Sequence, residues 1–194
     1  MELYECEEAV QDALRQPRPR HIVKIINEHL ARQQASDPAG AASPAAAIDF
    51  VCIDCRDDGP EGRARAFFSA PPPTVVFCAN RLHSPKEVEE TMVHELIHAY
   101  DFTVRKMDIT KADVLAEIRS ARESECYRKA KLLAQAMPDV EFFQKSLTWL
   151  HRRCVREHAV RSTSSMFPAE ARDQVDKMFE QCYADHSPFP SPSQ

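Results

Sequence analysis

The chain predicts an α+β fold, a small antiparallel sheet packed on helices, and three observations carry that reading. Short β-leaning runs cluster between residues 48 and 79, bounded by Gly and Pro. Long stretches on either side repeat apolar residues at helical spacing. Capping residues stand where those stretches begin. The 194 residues suffice for one domain with tails and a buried core. Hydrophobic residues at 43% and charged residues at 28% are ordinary for a globular chain. A net charge of -5 argues against a general nucleic-acid binder, and no apolar run approaches the length of a membrane span.

The elements follow in order. Two helices are expected in the first thirty or so residues, split by Gln16-Pro17-Arg18-Pro19-Arg20; the second carries Ile22, Val23, Ile25, Ile26 and Leu30. Ala35 to Ala47 reads as a surface linker. The strands are Ile48 to Ile53, Ala64 to Ser69 and Thr74 to Ala79, separated by Gly59, Pro60 and Gly62 and then by Pro71-Pro72-Pro73. Ser84-Pro85-Lys86-Glu87 is a capping box, with Glu87 reaching back to the cap. It opens a helix whose apolar face is Val88, Met92, Val93, Leu96, Ile97, Tyr100 and Val104. Thr110-Lys111-Ala112-Asp113 caps the next helix, to about Ala134, with Val114, Leu115, Ile118 and Ala121 inward. Val140 to about Arg161 and Pro168 to about Ala184 make two more, and Ser187 to Gln194 is a loose tail. The expected division is 1–47 for N-terminal helices and linker, 48–186 for the main domain and 187–194 for the tail.

Inside the capped helix stands His94-Glu95-Leu96-Ile97-His98. An i, i+4 pair puts two imidazoles one turn apart on one face, where both can ligate one Zn²⁺. Glu95 projects beside that position, suited to act as general base toward water and then as general acid toward a leaving amine. This is the ligand pattern of a zinc hydrolase, and the fold that goes with it is zincin-like: a small antiparallel sheet packed on the H-E-x-x-H helix. A catalytic zinc needs a third protein ligand. Asp101, one turn past His98, is short and better placed to orient a ligand. Glu117 lies 19 residues beyond His98 on the following helix, about a helix-turn-helix return, and completes a two-His-plus-Glu set. Glu117 is the preferred third ligand, with Asp101 the alternative.

The stretch His94-Glu95-Leu96-Ile97-His98-Ala99-Tyr100-Asp101 resembles the core motif of the mitochondrial inner-membrane metalloproteases that assist ATP synthase assembly. Further matches keep the same order: Cys52-x-x-Cys55, Phe77-Cys78-Ala79-Asn80, Glu117-Ile118-Arg119-Ser120-Ala121, Cys154-Val155-Arg156, and Phe179-Glu180-Gln181-Cys182-Tyr183-Ala184-Asp185 with Pro188-Phe189. The resemblance covers roughly residues 48 to 190. It implies a zinc endopeptidase peripheral to the inner membrane on its intermembrane-space side. Its protein substrate would be a membrane-sector subunit of ATP synthase, whose assembly it aids. By this resemblance His94 and His98 are metal ligands, Glu95 is the acid–base residue, and Glu117 is supported as a ligand. Cysteines common in the family after the metal helix and before the Glu-Ile-Arg stretch are absent here; Phe102-Thr103 and Leu115-Ala116 stand in their places. A non-proteolytic assembly factor with a relic metal site, or a zincin hydrolase with another protein substrate, are the alternatives.

The acidic start, Met1-Glu2-Leu3-Tyr4-Glu5, is neither a secretory signal nor an Arg-rich presequence, which by itself suggests the cytosol. Seven cysteines suggest an oxidising compartment instead, and oxidative retention in the intermembrane space reconciles the two. Cys126, Cys154 and Cys182 lie on three separate helices and are candidates to staple them, in pairs that sequence does not specify. Cys52, Cys55 and Cys78 with His83 suit either a structural zinc or, given the compartment the resemblance implies, a disulfide. Cys6 is the cysteine expected to stay unpaired. The basic stretch His151-Arg152-Arg153-Cys154-Val155-Arg156, with His158, offers Arg156 as an oxyanion donor or cations for anionic lipid, though a solvated face paired with acidic neighbours is the plainer account. Trp149 is expected in the core, and Tyr100 is given no catalytic role.

Overall fold

A computed structural model describes residues 1–36, 47–58, 62–107, 109–136 and 141–190, without the side chains at 109–113, 141–142 and 165–166. The chain forms two compact units, Met1–Met107 and Asp108–Gln194.

The first unit begins with α1 (Leu3–Arg15) and α2 (Pro17–Ser36). Cys6, Ala9, Val10 and Ala13 are the buried residues of α1, an i, i+3, i+4, i+7 stripe that lays one face on the core. Gln16 is extended and separates the helices, and Pro17 opens α2 where a missing N–H costs nothing. Ile22, Ile26 and Leu30 bury the next stripe. Most of the expected linker, 35–47, lies outside the described residues.

Three strands follow: β1 (Asp49–Ile53), β2 (Ala66–Ser69) and β3 (Thr74–Cys78). The sheet is mixed, not antiparallel as expected. Its order is β1-β3-β2, with β1 parallel to β3, Val51 opposite Val76, and β2 antiparallel to β3, Phe67 opposite Val76. Strands adjacent in sequence usually pair, and the expectation followed that habit. Here β2 lies on the far side of β3 from β1, and the Pro71-Pro72-Pro73 turn returns β3 between its two predecessors.

The connection is tied down at the far end of β3. Cys55 is disulfide-bonded to Cys78. Asn80 clasps the Cys55 backbone in both directions, its amide donating to Cys55 O at 2.9 Å and its carbonyl oxygen accepting from Cys55 N at 3.1 Å. Arg81, on the 3₁₀ turn Ala79–Arg81, donates to Ala64 O at 2.8 Å and Arg56 O at 2.9 Å.

Helix α3 (Pro85–Thr103) packs against α1, α2, β2 and β3. Ser84 caps it as expected, its hydroxyl accepting from Glu87 N at 3.3 Å. The reciprocal bond differs: the Glu87 carboxylate accepts from His83 N at 2.8 Å, one residue before the cap. Val88, Met92, Leu96, Ile97 and Ala99 are fully buried along its length, together with Val75 and Phe77 of β3.

The second unit is helical among its described residues: α4 (Ile109–Glu123), α5 (Glu125–Ala136), α6 (Glu141–Met166) and α7 (Ala171–Ala184). The single helix expected to run to Ala134 is broken at Ser124, whose hydroxyl bonds back to the Ser120 carbonyl. A serine hydroxyl that competes for a backbone acceptor bends a helix at that point. The expected cap at Thr110–Asp113 concerns side chains outside the described residues; the helix already includes Ile109. Val114, Ile118 and Ala121 turn inward as anticipated, against Val155 and Ala159 of α6 and Val175, Phe179 and Cys182 of α7. Trp149 does not join them: it is 59% exposed, with the Arg153 guanidinium 5.6 Å above its ring.

Cys6 pairs with Cys52, joining α1 to β1, and Cys126 pairs with Cys154, joining α5 to α6. The expected odd thiol is therefore misplaced. Cys182, buried in the α7 face, is the cysteine left outside the three disulfides, while Cys6 points from the buried stripe of α1 toward the sheet.

Candidate metal centre and active site

His94, Glu95 and His98 all lie on α3, within the first unit. The Ser84 cap, the Pro at its first position and the wide apolar face hold this helix rigidly enough to present side chains in fixed directions. The two imidazole rings stand with centroids 5.1 Å apart and planes tilted 44° to each other. That separation is testable against a zinc ion. A metal about 2.0 Å from a ring nitrogen lies about 3.2 Å from that ring's centroid, and a tetrahedral angle between two such ligands separates the centroids by about 5.2 Å. The helix thus presents the pair at a spacing that fits one tetrahedral ion. Both rings are half-buried, and Glu95 between them in sequence is only 8% exposed, so its carboxylate works in a water-poor setting.

Asp101 is also buried on α3, with Arg105 at 3.6 Å from its carboxylate and its main-chain carbonyl accepting from Met107 N. Its side chain is thus engaged with a cation one turn on. Tyr100 is half-buried on the same helix.

In the second unit, Glu117 is on α4 and 7% exposed. The neighbouring residues of its motif have a structural task. Arg119, 1% exposed, donates to Ser187 O and lies 3.5 Å from the Asp185 carboxylate. Arg122, 3% exposed, is a residue the sequence reading passed over. It donates to the main-chain carbonyls of Tyr183 and Asp185 and, through Nε, to Glu123 at 2.7 Å. Two guanidinium groups of α4 therefore collect the carbonyls left over where α7 ends, a place where the helix dipole favours positive charge. The only sequence signal was a pair of arginines one turn apart on an otherwise inward-facing helix.

Arg156 is spent in the same unit. It pairs with Asp176 at 3.0 Å and lies over the Phe179 ring at 4.3 Å, while Arg152 pairs with Glu180 and Arg153 with Glu157. These pairings with Asp176, Glu180 and Glu157 engage the three guanidinium groups, and Arg156 as oxyanion donor finds no support. His151 bonds to the Tyr183 hydroxyl through Nδ1 at 2.6 Å; burial is the main cause that holds its pKa below the ordinary histidine value. Burial likewise raises the Tyr183 phenol, partly offset by Arg152 and Arg122.

The thiolate zinc site considered for Cys52, Cys55, Cys78 and His83 does not form, because all three sulfurs are in disulfides. Cys126 and Cys154 lie with His158 at ligand spacing, but there too both sulfurs are bonded to each other.

A family model described as Peptidase M76 matches residues 4–190. Among curated proteins, the chain is 32% identical over 145 residues to a "Mitochondrial inner membrane protease ATP23 homolog" of Danio rerio, covering 72% of this chain and 53% of the relative. The Homo sapiens protein of the same name is 31% identical over 145 residues, with 72% and 54% covered. The "Mitochondrial inner membrane protease atp23" of Sclerotinia sclerotiorum is 31% identical over 156 residues, with 73% and 61% covered. The chain spans a little over half the length of these relatives. No solved structure matches it. With nearly its whole length matched by the model, the chain belongs to the Peptidase M76 family.

Proposed function

We propose that the chain is a zinc-dependent endopeptidase of the mitochondrial inner membrane, acting on the intermembrane-space side. Its proposed substrate is a membrane-sector subunit of ATP synthase, whose assembly it aids. The observation that carries the reading is the pair His94 and His98, held on α3 at a spacing suited to one tetrahedral ion with the Glu95 carboxylate buried beside them. His94, His98 and Glu117 are the proposed ligands, a two-imidazole, one-carboxylate donor set that leaves one coordination position for substrate chemistry. The Asp101–Arg105 pairing favours Glu117 over Asp101 as the third ligand. When bound, zinc supplies a Lewis acid that polarises the scissile carbonyl and acidifies water.

The chain's own residues do the rest. Glu95 accepts the proton of the attacking water on a carboxylate oxygen and passes it to the nitrogen of the departing amine. Its burial excludes bulk water from that transfer. The strand β3 is central, with its neighbours β1 and β2 pairing it on both sides, so it offers no edge to an extended substrate. Of the two outer strands, β2 lies against α3, where Phe68 and Phe102 have ring centroids 5.7 Å apart. Its outer edge is the better seat for an added strand. The peptidase domain is taken as 48–186, with a zincin-like relation between sheet and motif helix, and the names of the relatives supply the membrane. No described helix is long and apolar enough to cross a bilayer.

The test is Glu95→Gln. The variant should keep one zinc per chain and the wild-type melting profile while losing cleavage of a membrane-sector subunit by at least about a hundredfold. Full proteolysis by this variant rules the assignment out.

A further inference from the structure

The helices α5 and α6 of the second unit together leave several large apolar side chains in water. Of the ten large hydrophobic side chains exposed among the described residues, five are here: Tyr127, Leu132, Leu133, Trp149 and Leu150. Leu132 is 55% exposed and Trp149 59%. Apolar groups this concentrated on a surface mark an interaction site more often than chance. The charge is equally one-sided. The two helices carry eight Lys or Arg against three Glu, in a chain whose formal net charge is -5.

Between the two helices runs a groove of about 460 Å³. Leu133, Leu147 and Leu150 supply its apolar lining, and Lys129, Arg153 and Arg161 stand among the lining residues as cations. Glu157 pairs with Arg153 at 2.8 Å, and Lys129 Nζ lies 3.3 Å from His158 Nε2. The Cys126–Cys154 disulfide ties the two helices together beside it. A trough with an apolar lining and a cationic rim matches one kind of molecule closely: an amphiphile with a hydrocarbon tail and a phosphate head.

We propose that this groove seats an anionic phospholipid, and that the exposed face of α5 and α6 is the surface on which the protein lies against a bilayer. Leucine and tryptophan side chains enter the headgroup boundary of such a surface while lysine and arginine remain at the phosphates. A polar protein partner would leave Leu132, Leu133 and Trp149 poorly matched, and a nucleic acid would find no use for the leucine lining. The inference rests on the membrane location proposed above and adds where contact is made.

Trp149 is the only tryptophan of the chain, so the native protein reports on its own docking. Oxidised wild-type protein would be mixed with vesicles of phosphatidylcholine alone and of phosphatidylcholine with phosphatidylglycerol. Sedimentation and tryptophan emission would be followed at low and high salt, with brominated acyl chains as quenchers. The expected result is binding to the mixed vesicles only, reversed by salt, with a blue shift of Trp149 and quenching by the bromines. Lys129→Gln with Arg161→Gln should lower the partition coefficient roughly 25-fold, about fivefold per cation removed.

Equal binding to phosphatidylcholine alone overturns the proposal. So does binding in which Trp149 emission stays unchanged, or a double variant that partitions like the wild type; in these two cases the membrane reading stands and only this surface is wrong. No binding to any vesicle removes both. If the double variant loses its native circular-dichroism melt, the quenching of wild-type Trp149 decides alone.

Discussion

The two units solve the problem of holding helices together in opposite ways. In Met1–Met107 the core is apolar, built from α1, α2 and α3 against a sheet, and two disulfides fasten the segments around β1 and β3. In Asp108–Gln194 a single disulfide joins α5 to α6, and the end of α7 is held by Arg119 and Arg122 reaching from α4 to main-chain carbonyls. The first unit, with two of the three disulfides, should be the more sensitive to reduction. The second should respond most to the loss of a buried cation.

The largest effect is expected at Arg122. Replacing it with Ala strands the buried Glu123 carboxylate and three or so carbonyl groups, at a cost of about 3–5 kcal/mol. Hydrogen exchange should show lost protection in α4 and α7 with α3 little changed. Uniform loss throughout the chain would mean that the two units are not energetically distinct.

Next come the disulfides. Replacing both cysteines with Ser in Cys126–Cys154, or in Cys6–Cys52, should each cost roughly 4 kcal/mol by loop-closure entropy. Their sequence separations, 28 and 46, imply a difference of only about 0.4 kcal/mol. Denaturant midpoints would measure it. A much larger loss for Cys6–Cys52 would show that the first unit needs its staple for more than chain entropy.

Acid should act on both units, through His29 in the first and through His151 and His186 in the second. His151 has its pKa lowered in the folded chain, chiefly by burial, and His186 nearby is lowered for the same leading reason. A histidine depressed on folding takes up its proton more readily when unfolded. Stability is therefore unaffected above about pH 6.5 and declines as pH falls from there toward the folded-state pKa. Melting at a series of pH values should show this decline, and His151→Asn should flatten part of it. An unchanged slope in that variant would assign the acid sensitivity elsewhere.

The smallest expected effect lies in the first unit. Lys106 has φ of 55°, a left-handed conformation that side chains disfavour. Lys106→Gly should stabilise the chain by up to about 1 kcal/mol, seen as a small rise in melting temperature. No rise would indicate that the long lysine stem contributes packing there.

The parts legible in sequence were those fixed by local chemistry. Gln16 before Pro17 divides α1 from α2, and Ser84-Pro85 with Glu87 opens α3, because caps and prolines act over a few residues. The strand positions were readable for the same reason. What depended on distant partners was not. The pairing of β1 with β3 turns on where a later strand is inserted, and the partners of Cys6 and Cys55 turn on that pairing. Trp149 illustrates a different limit: its size argued for the core, yet on α6 it lies outside the stripe through Val155 and Ala159 that faces α4 and α7. At the candidate site, the two imidazoles and the carboxylate between them were apparent from spacing alone. The arginines behind the Glu117 motif were not, since nothing local distinguishes a buried guanidinium from a solvated one.

The clasp at the end of β3 bears on inheritance. Cys55, Cys78, Asn80 and Arg81 act on one another and on the loop after β1, and none of them lies on the motif helix. A lineage that lost either cysteine would place new demands on Asn80 and Arg81, and one that lost all four would be released from a joint constraint. Across the Peptidase M76 family these four positions should therefore change as a block, independently of the letters on α3.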